Sequence, residues 1–146
     1  MTLANELAAL FARDLGKLRQ EIETFGEGIW TAPAGVTNSA GNLALHLEGN
    51  LREYIGRQLG GIAYERKRPL EFSTKDIPAA ELIVRLAALE TAIPPVVSAL
   101  TEESLATIYP ENVLGEPLST RRFLIHLHGH LTYHLGQINY LRRLTV

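Results

Sequence analysis

The sequence predicts an all-α fold, a four-helix bundle with one long crossover connection. Four long segments place apolar residues at steps of three and four, which is the pattern of helices with one buried face. The connection over residues 60–77 is longer than bundle helices usually have, and it suits a crossover between helices that run the same way. The length of 146 residues fits a single domain, residues 1–146, with a sizeable core.

The first predicted helix begins after Thr2, a suitable N-cap, and its apolar residues recur as far as Phe25. Gly26 is predicted to end it, because glycine accepts the left-handed conformation that is common after a helix. Residues 26–41 contain four glycines and form a predicted connecting loop. This loop holds Trp30, the only tryptophan, which we expect to cover one end of the core.

The second predicted helix is capped by Asn38 or Ser39 and ends near Leu59, before two glycines. Its apolar positions are accompanied by a polar stripe of His46, Asn50 and Arg57, at steps of four and seven. His46 is the only histidine outside the last helix. Taken alone, it would be interpreted as a buried histidine satisfied by a hydrogen bond.

The third predicted helix begins at Asp76, a possible N-cap, with Pro78 in its first turn. The pair Pro94–Pro95 lies inside its apolar pattern, and each proline lacks an amide donor, so we expect a kink or a break there. Residues 106–118 contain two prolines and one glycine and are predicted to form a short hairpin or an extended loop.

The last predicted helix, capped by Ser119 or Thr120, carries four of the five histidines within nine residues. At about 100° per residue, His128 points away from the other three and is expected to be a surface or interface residue. The remaining three fall within roughly 80° on a face that we expect to be buried. Buried imidazoles are costly unless their nitrogens have partners, and one divalent metal ion can satisfy several. These three are His126, His130 and His134.

A metal site follows from the spacing of two of these residues. His130 and His134 lie one helical turn apart, so both imidazoles can reach one ion at about 2.0–2.1 Å. His46, on the polar stripe of the second helix, is the predicted third ligand. Three histidines leave at least one coordination position open for water or substrate, as in catalytic metal sites. The competing interpretation, in which the histidines are hydrogen-bonded core residues, stays open at this point.

The residue types in the chain limit the kind of metal. There are no cysteines, which excludes disulfides and zinc–thiolate sites. Position 131 is leucine where the zincin motif has glutamate, and the inward glutamates of a di-iron bundle are missing. An ion that prefers imidazole remains, with zinc or nickel favoured and iron as a further candidate.

Composition and charge exclude other classes of function. The net charge is −2 and there is no long basic run, so the electrostatic signature of a nucleic-acid-binding protein is missing. The longest apolar runs fall short of the ~20 residues that a membrane span needs, and no signal peptide is recognisable. We therefore expect a cytoplasmic protein with a small-molecule substrate and no nucleic-acid or membrane partner. The charges of the 60–77 connection are expected to be solvated.

Two stretches resemble a known family, the DinB-like family. They are residues 45–52, with the sequence LHLEGNLR, and residues 126–138, in which Gly-Gln follows the last histidine by two positions. The resemblance covers nearly the whole chain. It implies a four-helix bundle, often paired as a homodimer, that binds a divalent ion through three histidines, here matched by His46, His130 and His134. The family is grouped with metal-dependent thiol transferases that use bacillithiol or mycothiol. The resemblance supports the metal site more directly than it supports a particular reaction.

Four other residues are candidates for a catalytic or orienting role. His126, one turn before His130, can act as a group beside the ligands, as a proton carrier or, least favoured, as a fourth ligand. Asn50 and Gln137 can orient ligands or bound water, although both can equally be buried residues that only link helices. Tyr133, at the edge of the same face, can donate a proton.

Three functions are compatible with such a site. In a catalytic site the metal lowers the pKa of a bound thiol or water and generates a nucleophile near neutral pH. A transferase that uses a low-molecular-weight thiol is the leading hypothesis. A metal-dependent hydrolase is weaker, because Glu48 faces away from the polar stripe and Glu53 lies at its margin, which leaves no general base. A non-catalytic bundle, in which the metal serves structure or sensing, is the third.

Overall fold

The computed structural model describes residues 1–145 and confirms the all-α fold. Four long α-helices form the bundle, and two short α-helices and a 3₁₀ turn, Gly26–Trp30, lie in the connections. Within residues 1–145 the only strand-like pairing is an isolated antiparallel bridge between Ile108 and Ser119. In chain order the helices are α1 (Leu3–Phe25), α2 (Ala40–Leu51), α3 (Arg68–Ser73), α4 (Ala79–Ser98), α5 (Glu102–Ala106) and α6 (Thr120–Leu144).

Three of the long helices begin at residues that the sequence predicts as caps. The side-chain oxygens of Thr2, Ser39 and Ser119 each accept a backbone N–H three positions further on, at 3.1, 3.2 and 3.2 Å. Gly26 follows α1 with a φ of 74°, a conformation that favours glycine. A π-helical turn, Arg52–Arg57, extends α2 close to its predicted end.

Two predictions about α4 are wrong. Asp76 does not cap the helix: its N-cap is Pro78, and no side chain bonds to its first turn. The Pro94–Pro95 pair does not break the helix either: α4 runs through both prolines to Ser98, and its buried face continues past them, whereas the kink stays a prediction. The buried residues around the prolines, which pack mainly against α1, are Leu89, Ile93 and Val97.

The 60–77 connection contains a short helix that the sequence pattern does not reveal. Helix α3 has Pro69 in its first turn, where a missing amide donor is harmless. It packs on α2, and every residue of α2 is buried. Asn42 of α2 donates to the carbonyl oxygens of Glu71 and Thr74, at 3.0 and 2.7 Å. The crossover is therefore a fixed layer over α2.

The core lies between the four long helices and is filled mostly by leucine. Trp30 packs against it, and its indole Nε1 donates to the carbonyl oxygen of Ile77 at 3.0 Å. None of the helices within residues 1–145 is long and apolar enough to cross a membrane. Helices α2 and α6 contact each other in this core, and together they carry all five histidines.

Candidate metal centre

Three histidines from two helices meet between α2 and α6. His46 comes from α2, and His130 and His134 lie one turn apart on α6; we call them the histidine triad. One nitrogen from each ring lies within 4.8 Å of the other two, and the Nε2 atoms of His46 and His130 are 3.1 Å apart. His46 is 7% exposed, and the other two are half-buried. The fold therefore brings together the three residues that the sequence predicts as metal ligands.

Hydrogen bonds set the protonation of two triad rings. His46 Nδ1 lies 3.0 Å from Glu71 Oε1, and His134 Nδ1 lies 2.7 Å from Gln137 Oε1. A carboxylate or amide oxygen accepts a hydrogen bond, so in each neutral ring the proton is on Nδ1. The Nε2 atom then keeps its lone pair, which is the form in which imidazole binds a metal.

The third ring has an environment that hydrogen bonds alone do not explain. His130 Nδ1 is buried and has no hydrogen-bond partner within residues 1–145. Its Nε2 faces the Nε2 lone pair of His46, and two such nitrogens repel each other unless a proton or a cation lies between them. Three imidazole nitrogens are also a suitable donor set for zinc or nickel. The triad could therefore hold a divalent metal ion.

Glu71 of α3 is the carboxylate beside the triad that sequence analysis missed. It is 6% exposed and accepts from Arg66 through Nε at 2.9 Å and Nη2 at 3.0 Å, while Oε1 also faces His46. The Arg66 guanidinium lies over the ring of Tyr54, 5.7 Å from its centroid. The expectation that the charges of the crossover are solvated is therefore wrong for this pair. No spacing rule would have found Glu71, because it lies 25 residues from His46 and on a different helix.

Burial and hydrogen bonding set the charges of the site. Burial lowers the pKa of His130 to about 4, with the neighbouring histidines adding to the effect. Burial also lowers the pKa of His134. Burial raises the pKa of Glu71, but the hydrogen bonds from His46 and Arg66 outweigh it and hold that pKa below its usual value. At neutral pH the site thus presents neutral His130 and His134 rings and an ionised Glu71, and neutral imidazole is the form that binds a cation.

The lowered pKa of His130 predicts that the metal-free protein is sensitive to acid. The unfolded chain takes up this proton below a pH of about 6.5, whereas the folded site resists it down to about 4. The free energy of unfolding should therefore fall as the pH drops between these values, by about 1–2 kcal/mol at a pH of about 5. Urea denaturation near neutral pH and near pH 5 measures the loss, and metal-free His130→Ala should lack this part of it. An equal loss in both proteins would contradict the assignment.

The four other candidate residues surround the triad in different ways. Gln137 holds the His134 ring, as an orienting residue would. Asn50 is 7% exposed, and its Oδ1 has no partner within residues 1–145. His126 is exposed and stacks on a core phenylalanine, so this end of the face is more open than predicted. Tyr133 is 65% exposed, with its ring edge-on to His134. Their catalytic roles remain predictions.

The surface alternative for His128 is wrong, because the residue lies against α1 on the other side of α6; the interface alternative stays a prediction. Its Nε2 is 2.8 Å from Oδ2 of Asp14, which is 2% exposed, and its ring meets Phe11 edge-on. Arg13 Nε contacts the same carboxylate at 2.9 Å. The pair joins α1 to α6 and is separate from the triad. Helical phase excluded His128 from the triad correctly, but it could not show that α1 covers the opposite face.

The chain was compared with known families and structures. A sequence model of the DinB family matches residues 1–145. The chain belongs to the DinB family. No curated protein sequence matches it. The crystal structure of a conserved protein from Enterococcus faecalis resembles this DinB chain with a TM-score of 0.74 and 19% identity, over 99% of this chain and 97% of that one. A DinB-like protein from Bacillus cereus ATCC 10987 gives a TM-score of 0.64 and 19% identity, over 89% and 84%. Both likenesses show the DinB fold.

In this DinB-family chain two pockets adjoin the triad. The larger one, about 520 Å³, is the tyrosine pocket. The smaller one, about 180 Å³, is the arginine pocket. Residues lining the tyrosine pocket include Leu43, Tyr133, His134, Gln137, Tyr140 and Leu141. Residues lining the arginine pocket include His46, Asn50, Tyr54, Arg66, Arg68 and His130. His134 thus lines the tyrosine pocket, and His46 and His130 line the arginine pocket.

Proposed function

We propose that this DinB-family chain is a metal-dependent S-transferase. In this proposal the triad binds one divalent ion, zinc or nickel, and the protein joins the sulfur of a small thiol to an electrophilic carbon of a second small molecule. The observation that carries the proposal is the convergence of three imidazoles, two of them already oriented by hydrogen bonds at Nδ1. With three protein ligands, at least one coordination position stays open to a molecule that enters from an adjoining pocket.

The ion, when bound, would supply a Lewis acid that lowers the pKa of a nearby thiol, so that a thiolate is available at neutral pH. The residues of the chain orient and protect this site. Glu71 fixes the His46 ring, and Arg66 holds the Glu71 carboxylate with two hydrogen bonds. Gln137 fixes the ring of His134. Burial keeps His130 neutral above its lowered pKa, so no proton competes for its nitrogen at neutral pH.

The two pockets favour a reaction with two substrates. The tyrosine pocket is largely apolar and has the volume of a small-molecule site, whereas the arginine pocket is smaller and more polar. Both are lined by triad residues, so a molecule in either pocket would lie beside the ion. A transferase needs this arrangement, because a thiol and an electrophile must meet at one centre.

The carboxylates of α2 and α3 argue against the hydrolase alternative. Glu71 uses both oxygens for Arg66 and one of them also for His46. Glu48 is bound by two arginines on the far side of α2, and Glu53 by one. A general base must be free to take a proton from water, and each of these groups is already engaged.

The family resemblance supports two further parts of the proposal, a low-molecular-weight thiol of the bacillithiol or mycothiol kind and a homodimer. The charge and the hydropathy pattern of the sequence support a cytoplasmic location without nucleic-acid or membrane partners. The metal remains limited by ligand type, since imidazole suits both zinc and nickel.

Metal removal and reloading test the proposal. Protein purified without an affinity tag is stripped with a chelator and reloaded with zinc or nickel. We expect one ion per chain by elemental analysis, and a rise in Tm of about 5–10 °C at an ion concentration of about 100 times Kd. Reloaded protein should then accelerate the reaction of a thiol with 1-chloro-2,4-dinitrobenzene. In that reaction a sulfur–carbon bond forms, the carbon–chlorine bond breaks, chloride leaves and the thiol proton passes to solvent.

The outcomes separate the three hypotheses from sequence analysis. A protein that takes up no stoichiometric ion and shows no rise in Tm would contradict metal binding and leave a hydrogen-bonded core. Stoichiometric metal without acceleration for bacillithiol, mycothiol or simpler thiols would support the non-catalytic bundle instead.

A further inference from the structure

The arginine pocket is lined by hydrogen-bond donors and contains no carboxylate among its lining residues. Arg68 lies at its edge, exposed, with its guanidinium over the ring of Phe72 at 5.3 Å and without an ion pair within residues 1–145. Arg66 uses Nε and Nη2 for Glu71, whereas its Nη1 has no partner in the described chain and is not buried. Two guanidinium groups therefore have donors left over for a ligand.

Two buried polar groups in the same pocket lack partners. Asn50 is 7% exposed, its Oδ1 is buried and unpaired within residues 1–145, and the side chain lines the pocket. Its amide group can turn either edge towards a ligand, so Nδ2 is available as a donor. His130 Nδ1 is also buried and unpaired there, and it carries a proton whenever Nε2 serves as the ligand atom. Unsatisfied buried groups of this kind indicate a bound molecule or ordered water.

The charge around the pocket favours an anion. Apart from Glu71, the acidic residues around Arg66 line an adjoining cleft and not the arginine pocket. They are Glu53, which is paired with Arg57, Glu65, and Glu111, which accepts from Gln58. Arg66 is balanced by Glu71, which leaves the charge of Arg68 uncompensated. An ion on the triad would add two further positive charges beside neutral imidazoles. An arginine fork fits the paired oxygens of a carboxylate or phosphate, and a volume of about 180 Å³ suits a small group.

We infer that the arginine pocket binds the anionic oxygen group, a carboxylate or a phosphate, of a small-molecule substrate. This inference rests on the proposed function for the substrate's place beside the triad. Arg68 contributes the free charge and a free guanidinium fork, Arg66 its remaining Nη1 donor and Asn50 an amide donor. Replacing Arg66 would also disturb Glu71, to which it is hydrogen-bonded. Replacing Arg68 therefore tests ligand binding without changing the structure of the site.

The test uses succinate and succinamide, which have the same carbon skeleton and differ in charge. Each is titrated calorimetrically at low ionic strength into metal-free and zinc-loaded protein, since exposed charges are screened by salt. We expect succinate to bind and succinamide to bind at least about tenfold more weakly, because hydrogen bonds to charged groups are the stronger kind. Arg68→Gln should weaken succinate binding about tenfold, and Arg68→Glu should weaken it further.

Arg143→Gln is the matched control. Arg143 is also exposed, and its guanidinium lies over an aromatic ring, that of Tyr140 at 5.2 Å, but outside the arginine pocket. Its replacement should leave succinate affinity unchanged. Equal losses in Arg68→Gln and Arg143→Gln, or succinamide binding as tightly as succinate, would overturn the inference. Inorganic phosphate that binds with the same dependence on Arg68 supports it and identifies the group as a phosphate.

The metal-free arm distinguishes this inference from the proposed function. Binding of succinate that depends on Arg68 in a protein that takes up no metal would support the anion pocket and contradict the proposed function. Stoichiometric metal in a protein that does not distinguish succinate from succinamide would overturn the anion pocket alone.

Discussion

His130→Ala is expected to abolish stoichiometric metal binding without unfolding the metal-free protein. Removing a group that merely supports a metal-binding histidine costs about 10–100-fold in affinity, so losing a ligand should cost more than about 100-fold. The metal-free fold should tolerate the change. His130 Nδ1 has no partner within residues 1–145, and the only polar contact of the ring is with Nε2 of His46. The variant therefore removes a single polar contact, that of His46 Nε2, and no other buried group loses a partner.

Elemental analysis and melting curves with and without zinc measure this effect. The variant should lose the whole metal-dependent rise in Tm. His128→Ala is the control, because it removes a histidine from the same helix on the opposite side. It should keep full metal stoichiometry yet lower the free energy of unfolding by about 1–3 kcal/mol, since the buried Asp14 loses a hydrogen-bond donor. Full metal stoichiometry in His130→Ala would show that the ion lies elsewhere.

The features that the sequence predicts correctly are those that depend only on neighbouring residues and on the 3.6-residue repeat of the α-helix. The caps at Thr2 and Ser119 precede apolar patterns and need only the next three residues to act. His130 and His134 share a face because they are four residues apart, which any straight helix guarantees. His46 follows because no other histidine lies outside α6. The three rings could thus be grouped before their geometry was known.

The parts that sequence does not predict depend on contacts between elements. Burying a carboxylate is costly unless it is paired, so a charged, irregular segment is taken as solvated. The pairing of Glu71 with Arg66 exists only once α3 forms and packs on α2. The same holds for His128, whose partner Asp14 lies 114 residues away on α1. Both errors concern a carboxylate, Glu71 or Asp14, that is buried against its partner.

Replacing Gly49 with alanine tests whether the close packing of α3 on α2 positions the Glu71 carboxylate. A Cβ atom at this position would lie 2.6 Å from the carboxyl carbon of Glu71 and closer still to Oε2. Gly49→Ala should therefore push this carboxylate away from His46 and Arg66. Overpacking costs about 1–3 kcal/mol, and breaking a buried ion pair costs about 3–5 kcal/mol. We expect the free energy of unfolding to fall by about 3 kcal/mol and metal affinity to fall about 10–100-fold.

Denaturant unfolding and zinc titration of two further proteins show whether Glu71 is the cause. Gly56→Ala, in the π-helical continuation of α2, is the control, because a Cβ atom there meets nothing closer than 3.9 Å. It should change neither quantity by much. Glu71→Ala removes the group that the new methyl would displace, so adding Gly49→Ala to it should cost little more. If the losses in the free energy of unfolding of the two single variants add up in the double variant, the alanine acts through another contact. The absence of a side chain at Gly49 would then not be the reason that the Glu71 carboxylate can reach His46.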